Sequence, residues 1–158
     1  MSTKFQASVQ HRGDVSYVKL GGVIDEDNEL ADLVEKIPSG TAVIDLGEIE
    51  RINSCGVREW VNFIRTLSQS RQVRLLRCSM PIVEQLNMVF NFRGTAAIES
   101  FFAPFCCSNC GASTAVLLTP ADAPQASAAP RRCDQCGGSS VFDDLPERYF
   151  AFLLEFSA

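Results

Sequence analysis

The stretch Val43-Ile44-Asp45-Leu46-Gly47-Glu48-Ile49-Glu50-Arg51-Ile52-Asn53-Ser54-Cys55-Gly56-Val57 decides how the N-terminal part of this chain folds. Its apolar run begins at Thr41, directly after the turn signal Pro38-Ser39-Gly40. A short apolar run bounded this way suits a buried, parallel strand. The loop that follows opens a helix at Asn53-Ser54. Val57, Trp60, Val61, Ile64 and Leu67 then recur on one helical stripe, with Arg58, Glu59, Asn62 and Arg65 off it. The free amides of such a helix start point outward, and the helix dipole favours negative charge. A phosphoryl group on a side chain there would be well received.

Upstream, Phe5 to Gln10 and Val15 to Leu20 read as two strands joined at Arg12-Gly13-Asp14. Asn28 to Ile37 reads as a helix, because Leu30, Leu33, Val34 and Ile37 recur at helical spacing. Downstream, Gln72 to Cys78 is a strand candidate. Pro81 sits early in a third helix, where proline is tolerated, and Ile82, Leu86, Val89 and Phe90 supply its apolar face. The order strand, strand, helix, strand, helix, strand, helix predicts an α/β sheet with parallel pairs, covered on at least one face.

The central stretch resembles the STAS domain, shared by anti-sigma-factor antagonists and sulfate-transporter tails. That pattern has a strand ending in Asp-Leu, then Asp-[Ser/Thr]-[Ser/Thr]-Gly-[Leu/Val] opening a helix. Asp45-Leu46 and Asn53-Ser54-Cys55-Gly56-Val57 stand at those places, with Asn53 for the aspartate and Ser54-Cys55 in the hydroxyl slot. Leu20-Gly21-Gly22-Val23-Ile24-Asp25 matches an upstream element of the pattern with one residue extra. The resemblance covers about residues 5–103. It implies a mixed sheet with helices on one face. It also implies a non-enzymatic switch protein that binds a serine kinase/anti-sigma factor of the histidine-kinase-like ATPase fold. Asn53, Ser54, Cys55, Gly56 and Arg58 would then form the partner-binding turn. Ser54 has two readings, helix N-cap and phosphosite. Cys55 also has two, a half-buried packing residue and an oxidant-sensing thiol.

Composition changes near residue 104, which suggests a STAS-like domain over 1–103 and a zinc-ribbon-like extension over 104–158. Cys107-Ser108-Asn109-Cys110-Gly111 and Cys133-Asp134-Gln135-Cys136-Gly137 are two CxxCG knuckles. Two thiolates at this spacing chelate one tetrahedral ion, and the glycine lets the turn take a positive φ. Cys107, Cys110, Cys133 and Cys136 therefore predict one structural zinc, with Val116 to Thr119 and Ser140 to Phe142 as flanking strands. Four cysteines close the coordination shell, so zinc hydrolysis is not expected. Cys106 is read as a small buried residue and Cys78 as core. Pro120 to Pro130, rich in Ala and Pro, reads as a flexible loop. Arg148 to Phe156 reads as a final helix that must dock, given Tyr149, Phe150, Phe152, Leu153 and Phe156.

The 158 residues carry a net charge of −5, and neither part holds a basic surplus, so a nucleic-acid partner is not expected. Arg131-Arg132, the basic pair of the extension, reads as a solvated loop end. No apolar run reaches the length of a membrane span, and Met1 to Ala7 has no apolar signal core. A cytoplasmic, reducing location follows, in which seven cysteines point to metal or thiol chemistry before disulfides. The single histidine, His11, has no neighbouring carboxylate or nucleophile in the sequence, and no phosphate loop or dinucleotide fingerprint is present. The chain thus reads as a non-enzymatic signalling module that binds a protein partner, its oligomeric state open. A thiol- or metal-based redox or zinc sensor is the alternative.

Overall fold

Strand β1 (Gln6–Arg12) and strand β2 (Val15–Ile24) form an antiparallel hairpin, closed where Gly13 takes φ +60°. These and the following elements come from a computed structural model that describes residues 4–28 and 30–156. From β2 onward the chain returns each time through a helix, so the next strands run parallel. β2 pairs with β3 (Gly40–Ile52), β3 with β4 (Arg71–Leu76), and β4 with the short β5 (Ala97–Ile98), giving the order β1-β2-β3-β4-β5. The connecting helices are α1 (Leu30–Val34), α2 (Ser54–Ser68) and α3 (Met80–Met88).

One face of this mixed sheet is buried. Val18, Leu20, Ile24, Ala42, Ile44, Leu46, Val73 and Leu75 alternate with Tyr17, Lys19 and Arg74, which are exposed. Against the buried face sits the stripe Trp60, Phe63, Ile64 and Leu67 of α2. The Trp60 indole donates to the Phe92 carbonyl at 2.9 Å and its ring stacks on Phe92. Arg71 ties down the chain that leaves α1 from a distance: its guanidinium donates to the carbonyls of Val34, Ile37 and Pro38.

A second, antiparallel sheet has the order β7-β6-β9-β8: β7 (Ser113–Leu118), β6 (Phe101–Cys107), β9 (Ser139–Phe142) and β8 (Arg131–Arg132). It grows from the first sheet. Cys78 bridges Phe101, and the Phe102 amide donates to the Cys78 carbonyl at 2.9 Å. Helix α5 (Pro146–Tyr149) and a 3-10 turn (Ala151–Phe156) fold back onto α3. Asn87 of α3 donates to the Tyr149 carbonyl at 2.9 Å and accepts from the Phe152 amide at 2.8 Å. Phe101, Ala103, Phe105, Leu118, Tyr149 and Phe152 belong to the same core cluster as the first sheet.

Several local expectations change. β3 runs past Leu46 to Ile52, because the Gly21-Gly22 pair lets β2 bulge and keep pairing. α1 is shorter than Asn28 to Ile37, although Leu30, Leu33 and Ile37 are buried as expected. Phe90 is 85% exposed rather than buried: α3 ends at Met88, Val89 turns extended, and Val83 takes the place on the buried face. The stretch Pro120 to Pro130 is not all loop. Ala123–Ala128 forms helix α4, with Pro124 in its first turn and alanines favouring the helix. The expected last helix starts earlier, at Pro146, and breaks into two pieces after Tyr149. Its Phe150, Phe152 and Leu153 pack on the core; the side chain of Phe156 lies outside the described residues.

Candidate metal centre

β6 alternates buried and half-buried residues, so Cys106 and Cys107 point to opposite faces. Cys107 therefore turns toward the other three sulfurs, while the half-buried Cys106 stays outside their cluster, its Sγ donating to the Gly111 carbonyl at 3.8 Å, and is not the buried residue expected. The knuckles repeat one geometry. The Gly111 amide donates to the Cys107 carbonyl at 3.0 Å, and the Gly137 amide to the Cys133 carbonyl at 2.9 Å. Gly111 and Gly137 both sit at φ +75°, which a side chain would strain. A third glycine packs the knuckles together: a Cβ on Gly138 would lie 2.8 Å from Asn109 Cβ. Ser108 completes the join, donating through its amide and its hydroxyl to the Ser139 carbonyl.

The four sulfurs of Cys107, Cys110, Cys133 and Cys136 lie within 4.8 Å of one another. Cys107 and Cys136 are 3.5 Å apart, and Cys110 and Cys133 3.7 Å. A tetrahedral zinc with Zn–S bonds of about 2.3 Å spaces its sulfurs by about 3.8 Å, so the cluster has the dimensions of one ion. Donors surround it as thiolates require. The amides of Asn109 and Cys110 point at Cys107 Sγ, that of Gln135 at Cys133 Sγ and that of Gly138 at Cys136 Sγ, at 3.3–3.4 Å. Asn109 Nδ2 also donates to Cys136 Sγ at 3.4 Å. With the Gly138 amide it pushes the Cys136 thiol down to about 6. The amides of Cys136 and Gln135 lower Cys133. At Cys110 the Ala112 amide favours the thiolate, but the sulfur of Cys136, loss of solvent, and the sulfurs of Cys107 and Cys133 outweigh it and push this thiol up to about 12. Four crowded sulfurs cannot all ionise alone, and a divalent cation removes that conflict. Asn109 was not singled out from the sequence, where it reads as an ordinary spacer between two cysteines.

The other expected site lies at the start of α2, away from the sulfurs. Asn53, Ser54, Cys55 and Arg58 are exposed there, and Gly56 is buried. The N-cap is Asn53, not Ser54: its Oδ1 accepts from the Gly56 amide at 2.8 Å. Its Nδ2 donates to Glu26 at 2.9 Å, and this bond, with the Glu26 backbone amide, holds that carboxyl below its ordinary range. Gly56 is fixed by a close approach, since a Cβ there would stand 2.2 Å from the Ile24 carbonyl oxygen. Cys55 is exposed rather than half-buried. His11, read as having no carboxylate or nucleophile beside it in the sequence, is exposed on β1 and lies across the β1–β2 hairpin from Ser16, with Nδ1 3.2 Å from Oγ. Ser16 itself is 2% exposed. Cys78 is core, where burial pushes its thiol up to about 12. Arg131 is not merely solvated, since its guanidinium lies over the Phe105 ring. Among the described residues no helix is long and apolar enough to cross a membrane. No protein-family model matches this chain, and no curated protein matches it.

Proposed function

We propose that this chain is a non-enzymatic signalling module of STAS-like build, whose C-terminal extension is held by one structural zinc. It binds a regulatory protein partner through the turn Asn53 to Val57 and the exposed side of α2. The observation that carries this reading is the construction of the α2 start. Asn53 and Gly56 are committed to holding the turn, while Ser54, Cys55 and Arg58 next to them are exposed and make no structural contact of that kind. A rigid turn presenting free side chains is how a docking surface is built. The partner class implied by the resemblance is a serine kinase/anti-sigma factor. Phosphorylation of Ser54 would add about −1.5 to −2 charge at the turn and oppose docking without harming the fold. The test compares Ser54→Asp with the parent chain by calorimetric titration against such a kinase. The expected result is a loss of affinity of at least tenfold with an unchanged melting temperature. Equal affinity for both proteins defeats the reading.

A second reading, a zinc or redox sensor, is favoured by the exposure of Cys110 and Cys136 within the sulfur cluster. Two of the four cysteines lie at the surface, within an oxidant's reach. Zinc release at sub-stoichiometric peroxide, reversed by a thiol reductant, would favour this role over the structural one.

A further inference from the structure

Each sheet has two edge strands, and three of the four edges are guarded. β1 carries His11 and Arg12 and is polar and exposed along most of its length. β5 is two residues long. β8 is the pair Arg131–Arg132. These are the ordinary defences of an edge: shortness and charge. β7 has neither. Ser113–Leu118 is six residues of Ser, Thr, Ala, Val and Leu, and no charged residue occurs from Gly111 to Ala121. It pairs only with β6 among the described residues, so every other backbone N–H and C=O along it faces outward with no strand to receive it. Leu117 is 48% exposed on this strand, and the neighbouring outward side chains of the sheet are also apolar. Phe102, Pro104 and Cys106 are half-buried, and Val141 is 43% exposed.

We propose that the free edge of β7 is a homodimer interface, on which a second copy of this chain adds its own β7 antiparallel. The neutrality of the segment selects this occupant. In a two-fold pairing the strand lies beside its own copy, so charges of one sign on it would be gathered into one short ladder, and in a chain of net charge −5 this segment has none. A two-fold axis perpendicular to the sheet preserves the alternation of faces. With the axis at Val116, Leu117 of each copy lies against Ala115 of the other on the exposed face. Val116 and Val116 meet on the inner face. The two four-stranded sheets become one continuous sheet, and the edge is removed.

The test uses the full-length, zinc-loaded chain in sedimentation velocity over a concentration series. The expected result is a reversible monomer–dimer equilibrium that Leu117→Lys and Thr114→Lys each weaken at least tenfold. Both variants should keep one zinc per chain and the parent's Trp60 fluorescence, which separates a lost interface from a lost fold. Amide exchange should slow in Ser113–Leu118 on raising the concentration, and not in β1. A parent chain that stays monomeric throughout the series overturns the proposal. So does a dimer that survives both variants, or one whose protected amides lie in another edge.

Discussion

At the scale of single residues, Asn53 and Ser54 show how a helix start is chosen. Asn and Ser are equally good N-caps, so the doublet offers two solutions that sequence preference alone does not separate. The choice is made by the third residue on. Gly56 must press against the Ile24 carbonyl, which no larger residue could do, and its amide then falls within reach of Asn53 and not of Ser54. Asn53→Ala should therefore cost about 0.5–2 kcal/mol, while Ser54→Ala stays within about 0.5 kcal/mol of the parent. Chemical denaturation of both variants checks this, and the reverse ranking would return the cap to Ser54. The Glu26 contact adds a pH dependence. Glu26 is held below its ordinary value of 4.5 when folded, so its contribution is present above that pH and is lost as the pH falls through the lower folded value. The stability gap between parent and Asn53→Ala should thus narrow on acidification below about pH 4.5 and hold steady above it.

At the scale of elements, legibility followed local period. The strands and helices up to Met88 alternate in the expected order, because their apolar residues recur at two or at 3.6 and their turns carry Gly, Pro and Asp. β6 was not legible: Phe101-Phe102-Ala103-Pro104-Phe105-Cys106-Cys107 is apolar on both faces and contains a proline, so no alternation marks it. α4 was hidden by Ala/Pro composition that suits a linker equally well. The sulfur cluster was legible in full, since its spacing is itself the chelating geometry. The docking of α5 was legible only as a need. Its apolar residues required a cover, but nothing local announced Asn87 or the Phe102 carbonyl, which accepts from the Tyr149 hydroxyl at 2.5 Å. That hydroxyl supplies a prediction. Burial first, then the charges of Asp144 and Glu84, raise Tyr149 above its ordinary value of 10. The neutral phenol favours the folded state, so its contribution is whole below about pH 10 and is lost as the pH climbs through the higher folded value. In a Tyr17→Phe chain, phenolate absorbance should therefore appear only together with the loss of folded Trp60 fluorescence. Phenolate forming at its ordinary pH in an intact fold would show α5 undocked.

At the scale of the whole molecule, the sulfur cluster and the first sheet are joined through one core. The sulfurs join β6 to the β8–β9 end of the second sheet. β6 starts from the edge of the first sheet, and its Phe101, Ala103 and Phe105 pack in the cluster that holds Trp60 and Leu75. Were the extension independent, removing the metal would loosen residues beyond 104 and leave the rest untouched. Period and spacing are local, so the sequence could not show that both sheets are covered by the same side chains. Structural zinc contributes folding free energy outright, and the Tyr149 and Asn87 contacts pass a loss at the knuckles back to α3. Metal analysis of protein purified without added metal should give one equivalent of zinc per chain. Cys133→Ser should bind none and should lower the melting temperature read by Trp60, which lies in the first sheet's core and not near the sulfurs. In a chain of this size each kcal/mol lost moves the midpoint by about 2–4 °C, so a loss of several kcal/mol is easily read. One transition, shifted downward, is the expected outcome. A Trp60 midpoint that stays in place after the zinc is gone would show two cores where the packing shows one.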